Sequence, residues 1–532
     1  MESKIENLIY LSGGEGRYQY CALFLAFLVW SISAFHSISL PFLEAVPNVN
    51  LIPYNQTVPL NYSICDKYKY NYTKLNDIKY SWIIDFEIEC SEVKVGLIGT
   101  FTYIGFTSGS FLYPIFCEIL SNKNIILIGM AFYCSLNLII SFFQNYYIAL
   151  VSLIFLGICT NISNYSSMTI VSESVTSKKR SVFSSIINIG FCFSALIFTP
   201  LFFFLQKWSF VFYCHILISI VILIAIYFIL FNSPRKYMNT DKEKMLEILR
   251  GISKFNKKLE NFNEKIKEEE YQNLLDELGS GEKEMKDVNI KENENGKTEN
   301  KKKLGYLSLI KYPSIRYKFI IFSIMFMTTS AIYNGIAIGA KNMKGNLYLN
   351  IVLLYWFEGL AYIVTGFLIN CKPLGRKFSL FLLFLLSALG FLAYVIMVNH
   401  YSSETGEFIS MLLVRFTISG VYTTYYTYIL ESYPTPIRSK GFGLNSTFGN
   451  IGGIVIPMFI ELFDKKKIYY IFAGMCGFDC FLVLFLKETV GSPMQESIEE
   501  LEEEKRKIKE GKLDEEKQIL PLSIERNSTS SL

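Results

Sequence analysis

Long apolar runs alternate with short polar connections along most of the chain. Twelve runs of about 20 residues stand out, at roughly 18–43, 95–117, 124–142, 147–171, 182–206, 209–231, 318–340, 349–370, 378–399, 408–430, 442–463 and 468–486. Each is mostly apolar and mostly free of charge. In hydrocarbon a chain must satisfy its own backbone polar groups, which a helix does, so the pattern predicts twelve membrane-spanning helices. Residues 1–17 are polar and the first run is too long for a cleavable signal, so it reads as an internal anchor. Composition agrees: 51% of the 532 residues are hydrophobic and only 18% charged, against about 25% in ordinary globular proteins. The net charge of +4 is too small and scattered for nucleic acid. Three histidines, with no metal-ligand or nucleotide fingerprint, leave no cofactor, metal or catalytic residue to name.

Loop charges orient the spans. Lys178, Lys179 and Arg180 fall between spans 4 and 5, Lys372, Arg376 and Lys377 between 8 and 9, and Arg438 and Lys440 between 10 and 11. All three loops lie on the side of the N-terminus, which the positive-inside rule makes cytoplasmic. Lys465, Lys466 and Lys467 break the rule between spans 11 and 12, but the balance keeps both termini in the cytoplasm; the plasma membrane is the expected location, though charge does not select it. Residues 44–92 form the long outer loop. It holds three glycosylation sequons, at Asn55, Asn61 and Asn71, and the two cysteines placed outside, Cys65 and Cys90, for which a disulfide is expected. Residues 234–303 form a long inner loop rich in Lys, Glu and Asn. It opens with an amphipathic helix over 241–258 and is expected to be disordered from about 279 to 303. This loop and the charged tail both read as solvated linker.

The organisation is therefore a cytoplasmic N-terminus (1–17), a six-helix bundle (18–231) with outer loop 44–92, a linker (232–317), a second six-helix bundle (318–486) and a cytoplasmic tail (487–532). The halves repeat small signatures. Glu173 and Arg180 follow span 4 with the seven-residue spacing of Glu431 and Arg438 after span 10. Ser233-Pro-Arg235 follows span 6 much as Glu488-Thr-Val-Gly-Ser-Pro493 follows span 12. Two parallel halves joined by a cytoplasmic loop imply a transporter that rocks around a site at mid-membrane.

These signatures occur among others. Asp85-Phe-Glu-Ile-Glu-Cys90 precedes span 2; Tyr333-Asn-Gly335 lies in span 7, Gly345-Asn-Leu-Tyr348 between spans 7 and 8, and Glu358 in span 8; Glu431-Ser-Tyr-Pro-Thr435 with Arg438, and Gly452-Gly453 with Pro457, follow. In order and spacing the chain resembles the organic cation, organic anion and carnitine transporters of the major facilitator superfamily. The resemblance implies an all-α membrane protein, with twelve transmembrane helices in two pseudo-symmetric bundles, that moves small organic ions without covalent chemistry. Organic cations or zwitterions such as carnitine-like compounds are the expected substrates. A sugar porter-like facilitator and a non-transporting membrane sensor on the same scaffold remain alternatives. The loop after span 2 keeps an acid, Glu118, but lacks the superfamily's arginines, and Leu153 stands where span 4 usually carries an arginine.

Ionisable groups at mid-membrane cost roughly 2.5–3.5 kcal/mol each, so they are candidates for substrate contact. They are Glu358 in span 8, Arg415 in span 10 and Asp479 in span 12. Glu358 is either a counter-charge for a cation or a structural partner of Arg415. Asp479 faces a polar groove or pairs with the same arginine. Tyr333 offers a cation–π face. Asn450 occupies a slot that the family charges according to substrate, and here it is neutral. Glu118, Glu173, Arg180, Arg376, Lys377, Glu431 and Arg438 gather at the inner span ends as candidate gate residues.

Overall fold

The structure, a computed structural model, describes residues 8–46, 48–51, 56–59, 72–74, 81–88, 90–175, 177–237, 241–265, 308–343, 345–369, 374–401, 403–434, 437–463 and 465–489. Helices occupy all twelve expected spans. Span 1 is Arg17–Leu43, in two segments that meet at Ala34. Spans 2 to 6 are Glu92–Ile119, Asn122–Phe143, Tyr146–Ser174, Ser177–Leu205 and Trp208–Ile229. Spans 7 to 12 are Pro313–Gly339, Leu347–Leu368, Gly375–Ile396, Glu404–Ser432, Arg438–Leu462 and Lys465–Leu484. Among the described residues, eleven are long and apolar enough to cross a membrane. The exception is span 10: it has 29 residues, but Arg415 and a Thr/Ser/Tyr-rich stretch dilute its apolar content.

Short polar residues start several spans. Ser91, Ser121 and Ser403 accept the backbone N–H three residues on, and Asn145 accepts those of Tyr147 and Ile148. Each satisfies amides that a helix start would otherwise leave unpaired. Gln144 takes the left-handed conformation that turns span 3 into span 4 in two residues.

The chain divides into two compact units. Unit 1 holds residues 1–303 together with 337–356 and 457–462; unit 2 holds 304–336, 357–456 and 463–532. In unit 1, span 4 packs on spans 2 and 3, span 1 on span 5, and span 3 on span 6. Spans 2 and 4 approach closely at Gly105 and Gly157: a Cβ on Gly105 would lie 2.3 Å from the Ile154 carbonyl oxygen, closer than any side chain tolerates. In unit 2, span 9 packs on spans 10 and 12, the equivalents of spans 4 and 6 on span 3. Within each unit, the end at which the odd-numbered spans finish is called its far face and the opposite end its near face; strands β1 to β3, described below, follow span 1 at the far face of unit 1.

Two features add to the all-α expectation. Within the long far-face loop, Asn48–Leu51 (β1), Gln56–Pro59 (β2) and Tyr72–Lys74 (β3) form an antiparallel sheet in the order β2-β1-β3. Val49 of β1 lies opposite Val58 on one side and Lys74 on the other. After span 6, the expected amphipathic helix is present as Lys242–Phe255, capped by Asp241, but its apolar face is not solvated. Met245, Leu246 and Leu249 pack with Leu8, Ile9 and Phe262 into a small core against the N-terminal segment. Asn256, at the helix end, receives the Tyr18 N–H (2.8 Å) and donates to the Ser12 carbonyl and the Gln19 amide oxygen (3.1 Å each). Gly13 and Gly16 leave room for it, since a Cβ on either would overlap its side chain.

Candidate functional site

Span 8 carries Glu358 to the middle of unit 2, where it is fully buried. Its carboxylate has three donors. Tyr333 of span 7 and Tyr362, one turn along span 8, each donate a hydroxyl to Oε1 at 2.6 Å, and the Arg415 guanidinium of span 10 pairs with Oε2. Arg415 is itself only 1% exposed. Its guanidinium lies 4.0 Å from the centre of the Tyr333 ring and donates to the Tyr333 carbonyl at 3.0 Å. A buried ion pair persists only when its charges are well hydrogen-bonded, and here both carboxylate oxygens and both terminal guanidinium nitrogens have partners. The Glu358–Arg415 partnership anticipated from sequence is thus formed, with Tyr333 touching both members. Tyr333 is half-buried and leads through Tyr422 (ring centres 5.0 Å apart) to Phe326 and Tyr426. Tyr425 and Tyr428 belong to the packing instead: they are buried and donate to the carbonyls of Phe322 and Lys487.

The remaining candidates lie elsewhere. Asp479 is buried in span 12, where Thr328 donates to its Oδ2; its Oδ1 has no partner, and the arginine considered for it is held by Glu358. Asn450 is half-buried in span 11.

On the near face, glutamates and hydroxyls meet in both units. Glu173, ending span 4, accepts the hydroxyl of Ser233 just after span 6. Glu431, ending span 10, accepts the Thr489 hydroxyl (2.6 Å) just after span 12, and also pairs with Arg376 at 2.9 Å. Arg376 donates further to the Ile369 carbonyl, and Glu488 accepts the backbone N–H groups of Arg376 and Lys377, capping span 9. Lys377 donates to the Leu484 carbonyl. Glu118 is exposed at the end of span 2, whose Cys117 and Leu120 carbonyls are held by Lys236. Arg180 and Arg438 lie in the first turns of spans 5 and 11, and their side chains are outside the described set. Cys90 is disulfide-bonded to a partner outside the described residues, where Cys65 also falls, as do Asn55, Asn61 and Asn71.

Two clusters went unread in the sequence. His36 and His215 meet the Tyr133 hydroxyl in the buried centre of unit 1, at 3.4 and 3.2 Å. Glu44, Lys341 and Glu461 form an ion triad on its far face. Single histidines in apolar runs, and charges at span ends, carry no signal that distinguishes them from packing and interfacial residues.

Comparison with known proteins agrees with this architecture. The family model described as Major Facilitator Superfamily matches residues 21–457 and 319–524. Solute carrier family 22 member 21 of Mus musculus is 26% identical over 446 residues, 81% of this chain and 73% of the relative. Organic cation/carnitine transporter 2 of Rattus norvegicus is 24% identical over 82% of this chain and 74% of its own length; organic cation/carnitine transporter 4 of Arabidopsis thaliana is 21% identical over 93% and 90%. The inward-open xylose transporter of E. coli has the same fold, with a TM-score of 0.63 at 15% identity over 91% of this chain and 98% of its own. With the family model spanning most of the chain and a solved transporter matching nearly all of its fold, the chain belongs to the major facilitator superfamily, a multi-pass membrane transporter.

Proposed function

We propose that this transporter moves organic cations or zwitterions by alternating access, and that the Glu358–Arg415–Tyr333 cluster contacts them. The single observation behind the charge preference is the buried ion pair shared with an aromatic ring. A substrate ammonium can take the place of the guanidinium on Glu358 and over the Tyr333 face. A zwitterion can in addition return a carboxylate to the freed Arg415, so no buried charge is left unpaired. That exchange favours zwitterions over simple cations. The names of the organic cation/carnitine transporter relatives support the same substrate class. Asn450 and Asp479 are proposed as further wall residues, the first neutral and therefore permissive. The near-face residues Glu118, Glu173, Arg180, Arg376, Lys377, Glu431 and Arg438 are proposed to brace the cytoplasmic gate, with both termini cytoplasmic, the protein in the plasma membrane, Cys65 and Cys90 bridged, and Asn55, Asn61 and Asn71 glycosylated outside.

The test is uptake of a labelled panel of cations, anions, carnitine and glucose by cells expressing the protein. Carnitine-like zwitterions and organic cations should accumulate. Glu358→Gln at matched surface level should reduce that uptake about tenfold or more, the effect of roughly 1.4 kcal/mol. Accumulation of glucose alone, or normal cation uptake by Glu358→Gln, would overturn the assignment.

A further inference from the structure

The far-face tips of three spans meet within unit 1. Glu44 follows span 1 directly, Lys341 lies in the turn that ends span 7, and Glu461 is in the last turn of span 11. Lys341 Nζ is 2.7 Å from Glu44 Oε2 and 2.5 Å from Glu461 Oε1. The side chains are 1% (Glu44), 3% (Lys341) and 14% (Glu461) exposed. The tip of span 11 is seated by shape: a Cβ on Gly99 of span 2 would lie 2.7 Å from the Pro457 ring, and one on Gly96 would lie 3.0 Å from the Met458 backbone.

Two carboxylates share one ammonium, so the fully ionised triad would bury a net negative charge. Among the described residues Glu44 Oε1 is buried with no side-chain hydrogen-bond partner; the backbone of Gly99 in span 2 lies against Glu44 and favours its ionised form, but less than burial opposes it. Among the described residues, Lys341 and Glu461 are the charged groups that act on Glu44; span 2 faces it with the backbone of Gly99. A buried, excess carboxylate is relieved by taking up a proton.

We propose that Glu44, Lys341 and Glu461 form a proton-binding latch: the far-face tips pack together when one proton from the far-side solution is held on Glu44, and separate when it is released. The latch rests on the alternating-access reading above and adds a ligand to it, the proton. Burial pushes the Glu44 carboxyl up to about 7, with Glu461 opposing and Lys341 assisting ionisation. In an opened latch Glu44 meets water and returns towards the usual carboxylate range. The packed state therefore binds more protons, so it gains stability as pH falls below about 7 and loses it as pH rises through that value.

The test places a thiol at Met458→Cys, beside Gly96, and follows its reaction with an impermeant maleimide. Rates are normalised at each pH to the same thiol in the denatured chain. Between pH 6 and pH 8 the packed-to-open ratio should fall, and labelling rise, about tenfold. Glu44→Gln removes the titrating acid without changing shape, and should give slow labelling that is flat with pH. Glu461→Gln leaves one carboxylate for one ammonium and should also flatten the profile. A flat profile in the parent, or a tenfold rise retained in both variants, would overturn the latch. Labelling is read without any substrate, so a retained pH profile with no uptake of the panel would fault the substrate assignment and leave the latch standing.

Discussion

At the scale of single residues, three mid-membrane charges that look alike in sequence have different surroundings. Glu358 and Arg415 neutralise each other and are bound by two tyrosines, so removing either strands the other in a buried site. Arg415→Gln should therefore cost about 3–5 kcal/mol of stability, and combining it with Glu358→Gln should recover a good part of that loss. Asp479 has a hydroxyl on one oxygen and nothing on the other. Asp479→Asn removes a poorly compensated acid and should leave the protein as stable or more so. Thermal unfolding in detergent, followed by tryptophan fluorescence, distinguishes the outcomes; an Asp479→Asn variant destabilised as much as Arg415→Gln would show that the lone carboxylate is needed. The sequence made all three conspicuous because charge is rare in apolar runs. It could not assign partners, since the pairing of spans 8 and 10 at this depth is a property of packing. Glu44, Lys341 and Glu461 stayed hidden for the converse reason: at span ends, charge is the ordinary state.

At the scale of elements, the spans were legible because a helix in hydrocarbon needs a long apolar run and little else. Span 10 was recognised despite Arg415 and its hydroxyls, and those same polar groups make it the least apolar of the twelve. The three strands of the far-face loop were not foreseen, because short segments such as Tyr72–Lys74 carry too few residues for an alternating pattern. The linker helix was foreseen from its period, but its burial was not, since an amphipathic face does not name what covers it. The glutamate–hydroxyl contacts connect span ends that the repeat had only aligned. Glu431 joins span 10 to Arg376 in the first turn of span 9 and to Thr489 after span 12. If this network braces one bundle end as a unit, Glu431→Gln and Thr489→Val should be non-additive, with a coupling of about 0.5–3 kcal/mol in a double-mutant cycle on uptake rate. Strict additivity would mean that the two contacts act separately.

At the scale of the whole molecule, the six-plus-six repeat was visible in sequence and recurs in how span 3 meets spans 4 and 6 while span 9 meets spans 10 and 12. The repeat does not extend to the N-terminal clasp, in which residues 8–19 are gripped by the helix after span 6. Asn256→Ala would remove three hydrogen bonds from that clasp, at about 1 kcal/mol apiece. The expected result is a loss of about 2–3 kcal/mol in thermal stability and faster proteolysis at residues 8–16, with the spans still inserted. Unchanged protection of that segment would mean that the apolar core around Leu249 holds it unaided.

The clasp also sets an order of events during synthesis. Its two sides are separated by 238 residues at Tyr18–Asn256 and 244 at Ser12–Asn256. At roughly 5–20 residues per second, the ribosome delivers the second side roughly 10–50 s after the first. Throughout that interval six spans enter the membrane while Leu8 and Ile9 stay bare at the surface. The clasp is complete only when Phe262 has emerged, so a chain arrested between span 6 and that point presents an exposed apolar tag at its N-terminus, available to any factor that surveys unfinished membrane proteins.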